Sequence, residues 1–359
     1  MSPKEELHPY LNREHALVKH KLFERYFKRF IMILGSRPNL AYIDAFAGPW
    51  LSSDDNYSDT SFGRAVSAIE SCTQTLSEKQ NKLPRFRSLL IEADESAFSE
   101  LDAFARRSSK PTATIEAINR RFEDSVREIS EWIRPGEKTF VLIDPKAYRG
   151  LISPAVLSPL LKNPNVELLI NYMWQFINLA IGHRGNEKHD SNLRDLYGSG
   201  YSQFSSLPPD EKEISLIREY RKRLIEESGM RGETRLRAAS FPVQYADRIG
   251  TKYYLVYVTH SSRGLIAFSE ASDEAIEDQK EVQFFVGQKK REEKTGMLDM
   301  FHEMHEPQVD LSPKEDPWLE ILRTPNSSIT VDQELWANML ERHECLPSQL
   351  QMGLKNLLD

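Results

Sequence analysis

Five apolar runs constrain this chain most, each ending on an acid or an amide and each followed by a stretch of helical character. The runs are "LAYIDAF" from Leu40 to Phe46, "RSLLIEAD" ending at Asp94, "TATIEAIN" ending at Asn119, "KTFVLIDP" through Asp144 and Pro145, and "VELLINYM" through Asn171. They are rich in Ile, Leu, Val and Ala and alternate little, as strands do when helices cover both faces of a parallel sheet. Helices are expected over Ala65 to Thr75, through Leu101 to Arg107, in "FEDSVREISEWI" and in "SPAVLSPLLK". Such alternation predicts a doubly wound, mostly parallel Rossmann-like α/β sheet with right-handed crossovers.

The flanks complete the layout. Before the first run, Leu22, Phe23, Tyr26, Phe27, Phe30 and Leu34 recur at helical spacing, opposite Lys21, Arg25, Lys28 and Arg29. Asn12 is placed to cap that helix and Gly35 to stop it. After the fifth run, residues 173–237 break the rhythm with helical segments and loops. "KYYLVYVTH" and "RGLIAFSEA" then read as two more strands joined by a short polar turn, giving a seven-stranded sheet. A late hairpin after five parallel strands is the ordering typical of methyltransferases that use S-adenosylmethionine. The expected division is an N-terminal helical segment (1–39), an α/β domain (40–278, with 173–237 inserted) and a C-terminal linker and helical appendage (279–359).

Charge bears on partners. The 359 residues carry a net charge of −7, so the whole molecule lacks the footprint of a general nucleic-acid binder. Between Arg13 and Arg37, however, seven Lys/Arg face only Glu14 and Glu24. That basic helix suits either a phosphate-bearing partner such as nucleic acid or an ordinary solvated surface. Cys72 and Cys345 stand too far apart for a metal or redox motif. No apolar run approaches bilayer length and the N-terminus lacks the pattern of a secretory signal, so the expectation is a cytoplasmic protein without membrane contact.

In an open α/β sheet a ligand sits beyond the carboxyl ends of the strands, near the point where strand order reverses. At the first strand end, Asp44 and the turn of Phe46 and Gly48 offer a carboxylate and close backbone approach. At the second, Glu92, with Asp94 as second choice, can accept two hydrogen bonds from a ribose diol. At the third, the Asn119 amide could read adenine or serve as a simple turn residue. At the fourth, "IDPKAY" resembles the Asp-Pro-Pro-Tyr signature of amino-methyltransferases. Asp144 and a nearby carbonyl would hold an exocyclic amine, with Pro145 shaping the turn and Tyr148 or Trp174 stacking on the ring. An Asp-Pro pair alone is also a common strand-ending turn.

The order of "HALVKHKLFERYF", "YIDAFAGP", "FGRAVSAI", "LLIEAD", "VLIDP", "LLINY" and "YYLVYVTHSSRG" resembles the three-Cys-motif partner protein (TcmP) family, a methyltransferase-like family, over roughly Arg13 to Ala271. The resemblance implies that His15, Lys19 and Tyr26, Asp44 and Gly48, Gly63, Glu92, Asp144 with Pro145, and Asn171 are matching positions. It also implies a separate partner carrying a three-cysteine motif, which this chain lacks. Trp50 stands where the family tends to have a second glycine, and Lys146 and Ala147 precede Tyr148 where an aromatic would follow Asp-Pro directly. These readings give S-adenosylmethionine as cofactor, Asp44, Phe46, Gly48, Glu92, Asp94 and Asn119 to hold it, and Asp144, Pro145 and Tyr148 for catalysis. Lys19, Asn171 and Trp174 would meet a substrate whose amine nitrogen is methylated, a nucleobase being one candidate. The alternative is a catalytically weakened fold serving as a binding scaffold in a multi-protein, defence-type system. "FHEMHE" places His302 and His305 three apart, unlike the HExxH zinc helix, so no metal is expected.

Overall fold

The computed structural model describes residues 7–11, 13–48, 52, 57–145, 150–183, 186–295, 317–322 and 330–358. Asn12, Trp50, Lys146, Ala147, Tyr148 and the "FHEMHE" segment lie outside them. Its centre is one seven-stranded sheet: β1 (Asn39–Asp44), β2 (Arg85–Glu92), β3 (Ala113–Asn119), β4 (Lys138–Ile143), β5 (Val166–Tyr172), β6 (Arg237–Gln244) and β7 (Thr251–Thr259). The spatial order is β3-β2-β1-β4-β5-β7-β6. β1 to β5 pair in parallel, and β7 alone runs against its neighbours β5 and β6. The fold is thus a mostly parallel, doubly wound α/β sheet. Strand order reverses between β1 and β4, which puts the switch point between Asp44 and Asp144.

Burial follows position in the sheet. Every residue of β5 is buried, whereas β3 at one edge buries only Ile115. The helices form two layers. α1 (His15–Leu34), α2 (Ser61–Gln80), α3 (Glu95–Ser108) and α9 (Ser262–Thr295) cover one face. α4 (Phe122–Trp132), α5 (Pro154–Leu161), α6 (Trp174–Gly182), α7 (Glu187–Tyr197) and α8 (Pro209–Ser228) cover the other. No described helix is long and apolar enough to cross a membrane.

α1 fixes the first layer through its aromatic stripe. Phe27 lies 5.1 Å from the Tyr42 ring and 5.4 Å from Phe140, centroid to centroid, at separations where aromatic pairs add to simple burial. Its basic face is met from within the chain. Arg25 bonds Asp278 (2.7 Å) and Glu274 (2.8 Å), Arg29 bonds Glu274 (2.5 Å), and Lys21 reaches Asp278 (3.2 Å), all on α9.

Two expectations need correction. "RGLIAFSEA" is not a strand; it lies in α9, where Leu265, Phe268, Ala271, Ser272 and Ala275 are buried at helical spacing. A short apolar run satisfies both periods, and only the longer stretch decides for the helix. The partner of β7 is β6, "RAASFPVQ", whose polar residues and Pro242 mask it as a strand. Pro242 is tolerated because β6 is the sheet's edge, where a missing donor costs least. α9 also runs unbroken across positions 278 and 279, where a domain boundary was expected.

The C-terminal unit consists of α10 (Pro317–Leu322), α11 (Gln333–His343) and α12 (Pro347–Leu358). Trp318, Met339, Leu340 and Leu350 form its small core, and the Trp318 indole donates to the Leu350 carbonyl (2.8 Å). It docks through charge: Arg221 on Glu344 (2.5 Å), Arg235 on Glu341 (2.6 Å), and Arg237 between Glu334 and Glu341. Glu341 also accepts from the Ala238 N–H (2.9 Å), so one orphan donor of the edge strand is satisfied by a side chain instead of a neighbouring strand.

Candidate functional site

The carboxyl ends of β4 and β5 and the first turns of α1 bring three of the expected residues together. Ile143 is opposite Ile170 in the β4–β5 register, so Asp144 and Asn171 emerge side by side one step beyond. The Asn171 side-chain amide donates to Asp144 Oδ1 (2.6 Å), and the Lys19 ammonium on α1 pairs with Asp144 Oδ2. Asn171 is 4% exposed, and its carbonyl oxygen Oδ1 is buried without a hydrogen-bond donor among the described residues. Exchanging the amide ends would set that oxygen against the carboxylate, so Asp144 fixes the amide's orientation.

A cavity of about 360 Å³ opens over this group. Its wall includes Lys19, Asp144, Pro145, Asn171, Phe46 and Gly48. The volume falls within the usual span of small-molecule sites, roughly 300–1,000 Å³. The sequence did not single out several of the wall residues: Ser61, Met173, Phe176, Lys252 and Tyr253. Ser61 could have been suspected, because Thr60 before it caps α2 by accepting the Gly63 N–H and so places the helix start at the sheet's rim. Lys252 has no local signal; a strand returning from another part of the chain delivers it.

Asp44 stands behind the wall rather than on it. It is fully buried and accepts from the Tyr42 hydroxyl (3.0 Å), the Phe46 N–H (3.1 Å) and the Ser61 hydroxyl (2.6 Å). Burial pushes its carboxyl up to about 6, against those three hydrogen bonds. It reaches the cavity through the wall residues Ser61 and Phe46, so its expected direct contact with a ligand is replaced by a bracing role. Residues 42 and 44 share one face of a strand, and this pairing is legible from the period of two.

The second strand end lies one strand away. Glu92 is 7% exposed, and its Oε1 accepts from the Asp94 N–H (2.7 Å). Asp94 caps α3, accepting from the Ala97 N–H (2.9 Å), and its side chain is thereby committed to the helix end. The Asn119 amide donates to the Glu92 backbone carbonyl (2.9 Å), which makes it a tie between strand ends. None of Glu92, Asp94 and Asn119 borders the cavity around Asp144. Trp174 is corrected outright. It begins α6 and is 5% exposed in the opposite core layer, where its ring packs with apolar side chains and has no face left for a substrate.

Two histidines share the cavity wall. His15, at the start of α1, is pushed down to about 3, by burial first and then by Lys252 and Lys19. His20 receives or gives a hydrogen bond at the Tyr10 hydroxyl (2.8 Å) and is held well below its ordinary value, again by burial first and then by Lys19 and Arg64. Both rings are therefore neutral near pH 7.

No family model matches the chain, and no curated protein matches it either. Among solved structures, a Legionella pneumophila Philadelphia 1 protein matches with TM-score 0.35 and 11% identity, covering 67% of this chain and 85% of that one. A loganic acid methyltransferase with SAH matches with TM-score 0.25 and 13% identity, covering 94% of this chain and 87% of that one. Similarity that distant leaves function to the chain's own topology and side chains.

Proposed function

We propose that this chain is a methyltransferase that uses S-adenosylmethionine and acts on an amine nitrogen of a nucleobase or nucleotide-like substrate. One observation carries the reading: Asp144 and Asn171 stand together on the wall of a cavity at the switch point, with the Asn171 carbonyl oxygen buried and lacking a donor among the described residues. A carboxylate beside an unused carbonyl is an acceptor pair suited to an NH₂ group. The chain's residues fit the cofactor in outline. Phe46 and Gly48 border the cavity, and Glu92 ends the next strand with one carboxylate oxygen outside its hydrogen bond to Asp94. When bound, the cofactor would supply an electrophilic methyl group on a sulfonium.

The protein's part is positioning. Asp144 accepts an N–H of the amine and so turns the nitrogen lone pair away from itself, and the same carboxylate is placed to take that proton when the nitrogen gives it up. Lys19 pairs with Asp144 Oδ2 and limits its movement. Asn171 fixes the other oxygen, while Met173 and Phe176 give the wall apolar surface against a ring. Asp44 holds Ser61 and the start of α2 in place from behind.

The test is methyl transfer from isotopically labelled S-adenosylmethionine to nucleosides, nucleotides and short nucleic acids, with S-adenosylhomocysteine affinity measured in parallel. Asp144→Ala is expected to lower turnover by about 100-fold or more, with affinity for S-adenosylhomocysteine within about threefold of wild type. Absence of cofactor binding in the unmutated protein, or unchanged turnover in the variant, would refute the assignment.

A further inference from the structure

The cavity wall carries more positive charge than it can match. Arg13 pairs with Asp59 (2.9 Å) and Lys19 with Asp144, both acids belonging to the same wall. Lys252 is the third cation, half-buried near the start of β7, and among the described residues no carboxylate reaches ion-pair distance of it. The nearby Asp247 is bonded to Lys290 (2.8 Å) instead. Lys252 donates to His15 Nδ1 (3.3 Å). A ring that accepts at Nδ1 and is neutral carries its proton on Nε2, which leaves a second donor on a ring of the cavity wall. Burial, then Arg248, draws the Lys252 ammonium below its ordinary range, as expected of a cation short of a counter-charge.

Tyr253 separates this pair from the acceptor end of the cavity. Its ring centroid is 5.9 Å from Lys19 Nζ and 5.9 Å from the His15 ring, and its hydroxyl donates to the His15 carbonyl (3.0 Å). The cavity therefore has two unlike ends about one aromatic ring apart: acceptors at Asp144 and Asn171, donors at Lys252 and His15.

We propose that Lys252 and His15 form an oxyanion subsite that takes the carboxylate or phosphate of a ligand bound in the cavity that Asp144 lines. The subsite deepens the methyltransferase reading and rests on it for the ligand's identity, though not for the anion's charge. Two sources could supply that charge: the amino-acid carboxylate of the cofactor, or a phosphate of the methyl acceptor. An ammonium and an imidazole N–H would each give it a hydrogen bond, the ammonium one charge-assisted.

Calorimetry on the full-length protein with two matched pairs tests this: S-adenosylhomocysteine against its decarboxylated analogue, and adenosine monophosphate against adenosine. Lys252→Gln is expected to weaken the charged member of one pair by about tenfold or more and the uncharged member by less than about twofold. Lys252→Arg, which keeps the charge, should stay within about threefold of wild type and guards against misfolding as the cause. Selective loss in the first pair assigns the subsite to the cofactor; selective loss in the second assigns it to the acceptor. Charged and uncharged members weakening alike, or not at all, would overturn the proposal. If neither pair binds the unmutated protein, the methyltransferase reading fails on its own. Inorganic phosphate then decides alone: a shift of the His15 Nε2 resonance that Lys252→Gln abolishes upholds the subsite, and no shift rejects it.

Discussion

Two carboxylates buried under the same helix, at opposite ends of the sheet, are built alike and do different things. Glu167 sits near the start of β5 and accepts from the hydroxyls of Tyr26 (2.6 Å), Tyr257 (2.8 Å) and Thr259 (3.2 Å). Asp44 sits at the end of β1 and accepts from Tyr42, Ser61 and the Phe46 N–H. Burial raises both carboxyls. The surroundings make the difference. Everything around Glu167 is core, and its three donors tie α1, β5 and β7 into one block. One donor of Asp44 is a cavity-wall serine, so the same chemistry holds a surface open there instead of closing a core. α1 serves both ends, with Tyr26 on Glu167 and Lys19 on Asp144. Three donors on a buried acid thus identify a rigid point, and only the cavity beside it turns that rigidity to function.

That comparison can be broken most easily at Glu167. Glu167→Ala strips the acceptor from three hydroxyls in a dry core and leaves a void, and is expected to cost about 3–5 kcal/mol in urea unfolding while ligand affinity in the folded fraction is unchanged. A comparable loss of affinity would show that the two ends are coupled through α1. At Asp44 the expected effect is a pH slope. The folded carboxyl titrates near 6 against 3.8 unperturbed, so the fold favours the neutral acid. Its penalty is absent below about pH 4, grows as pH rises, and reaches about 3 kcal/mol above pH 6. Asp44→Asn should abolish that slope between denaturation curves recorded at pH 4.5 and about pH 7; a variant with the wild-type slope would assign it to another group.

Smaller changes separate bracing from catalysis. Lys19→Met is expected to destabilise the protein by about 1–2 kcal/mol but to lower turnover by about tenfold, since Asp144 loses its cation and keeps only Asn171. Equal effects on wild type and on the Asp144→Ala background would mean that Lys19 does not act through Asp144. Ser61→Ala removes one of Asp44's three donors and should cost about 1 kcal/mol in thermal or urea unfolding. A larger loss of turnover than of stability would move Ser61 from the frame into the site.

Much of the frame was legible because it follows from local period. The apolar runs identified six of the seven strands, β1 to β5 and β7, and the aromatic stripe of α1 was readable to the residue at Phe23, Tyr26, Phe27 and Phe30. β6 was not legible, because an edge strand tolerates the polar residues and proline that hide it. "GLIAF" misled because five apolar residues fit either period. In the site, Asp144 and Asn171 meet because they lie at neighbouring parallel strand ends, and Lys19 joins them from α1. Trp174 was misassigned because its position after a strand says nothing about which face of the following helix turns to the core.

The sequence by itself determined the parallel sheet, its rim of acids and amides, and the amphipathic helix laid across it, because these depend on side-chain period and on where apolar runs stop. Tertiary structure alone decided that Asp44 is a brace and Asp144 a wall. It alone set the basic face of α1 against the acids of α9, and left Lys252 beside His15 without a carboxylate among the described residues. Those outcomes depend on which distant side chains share a few cubic ångströms of low-dielectric space, and no spacing along the chain encodes that.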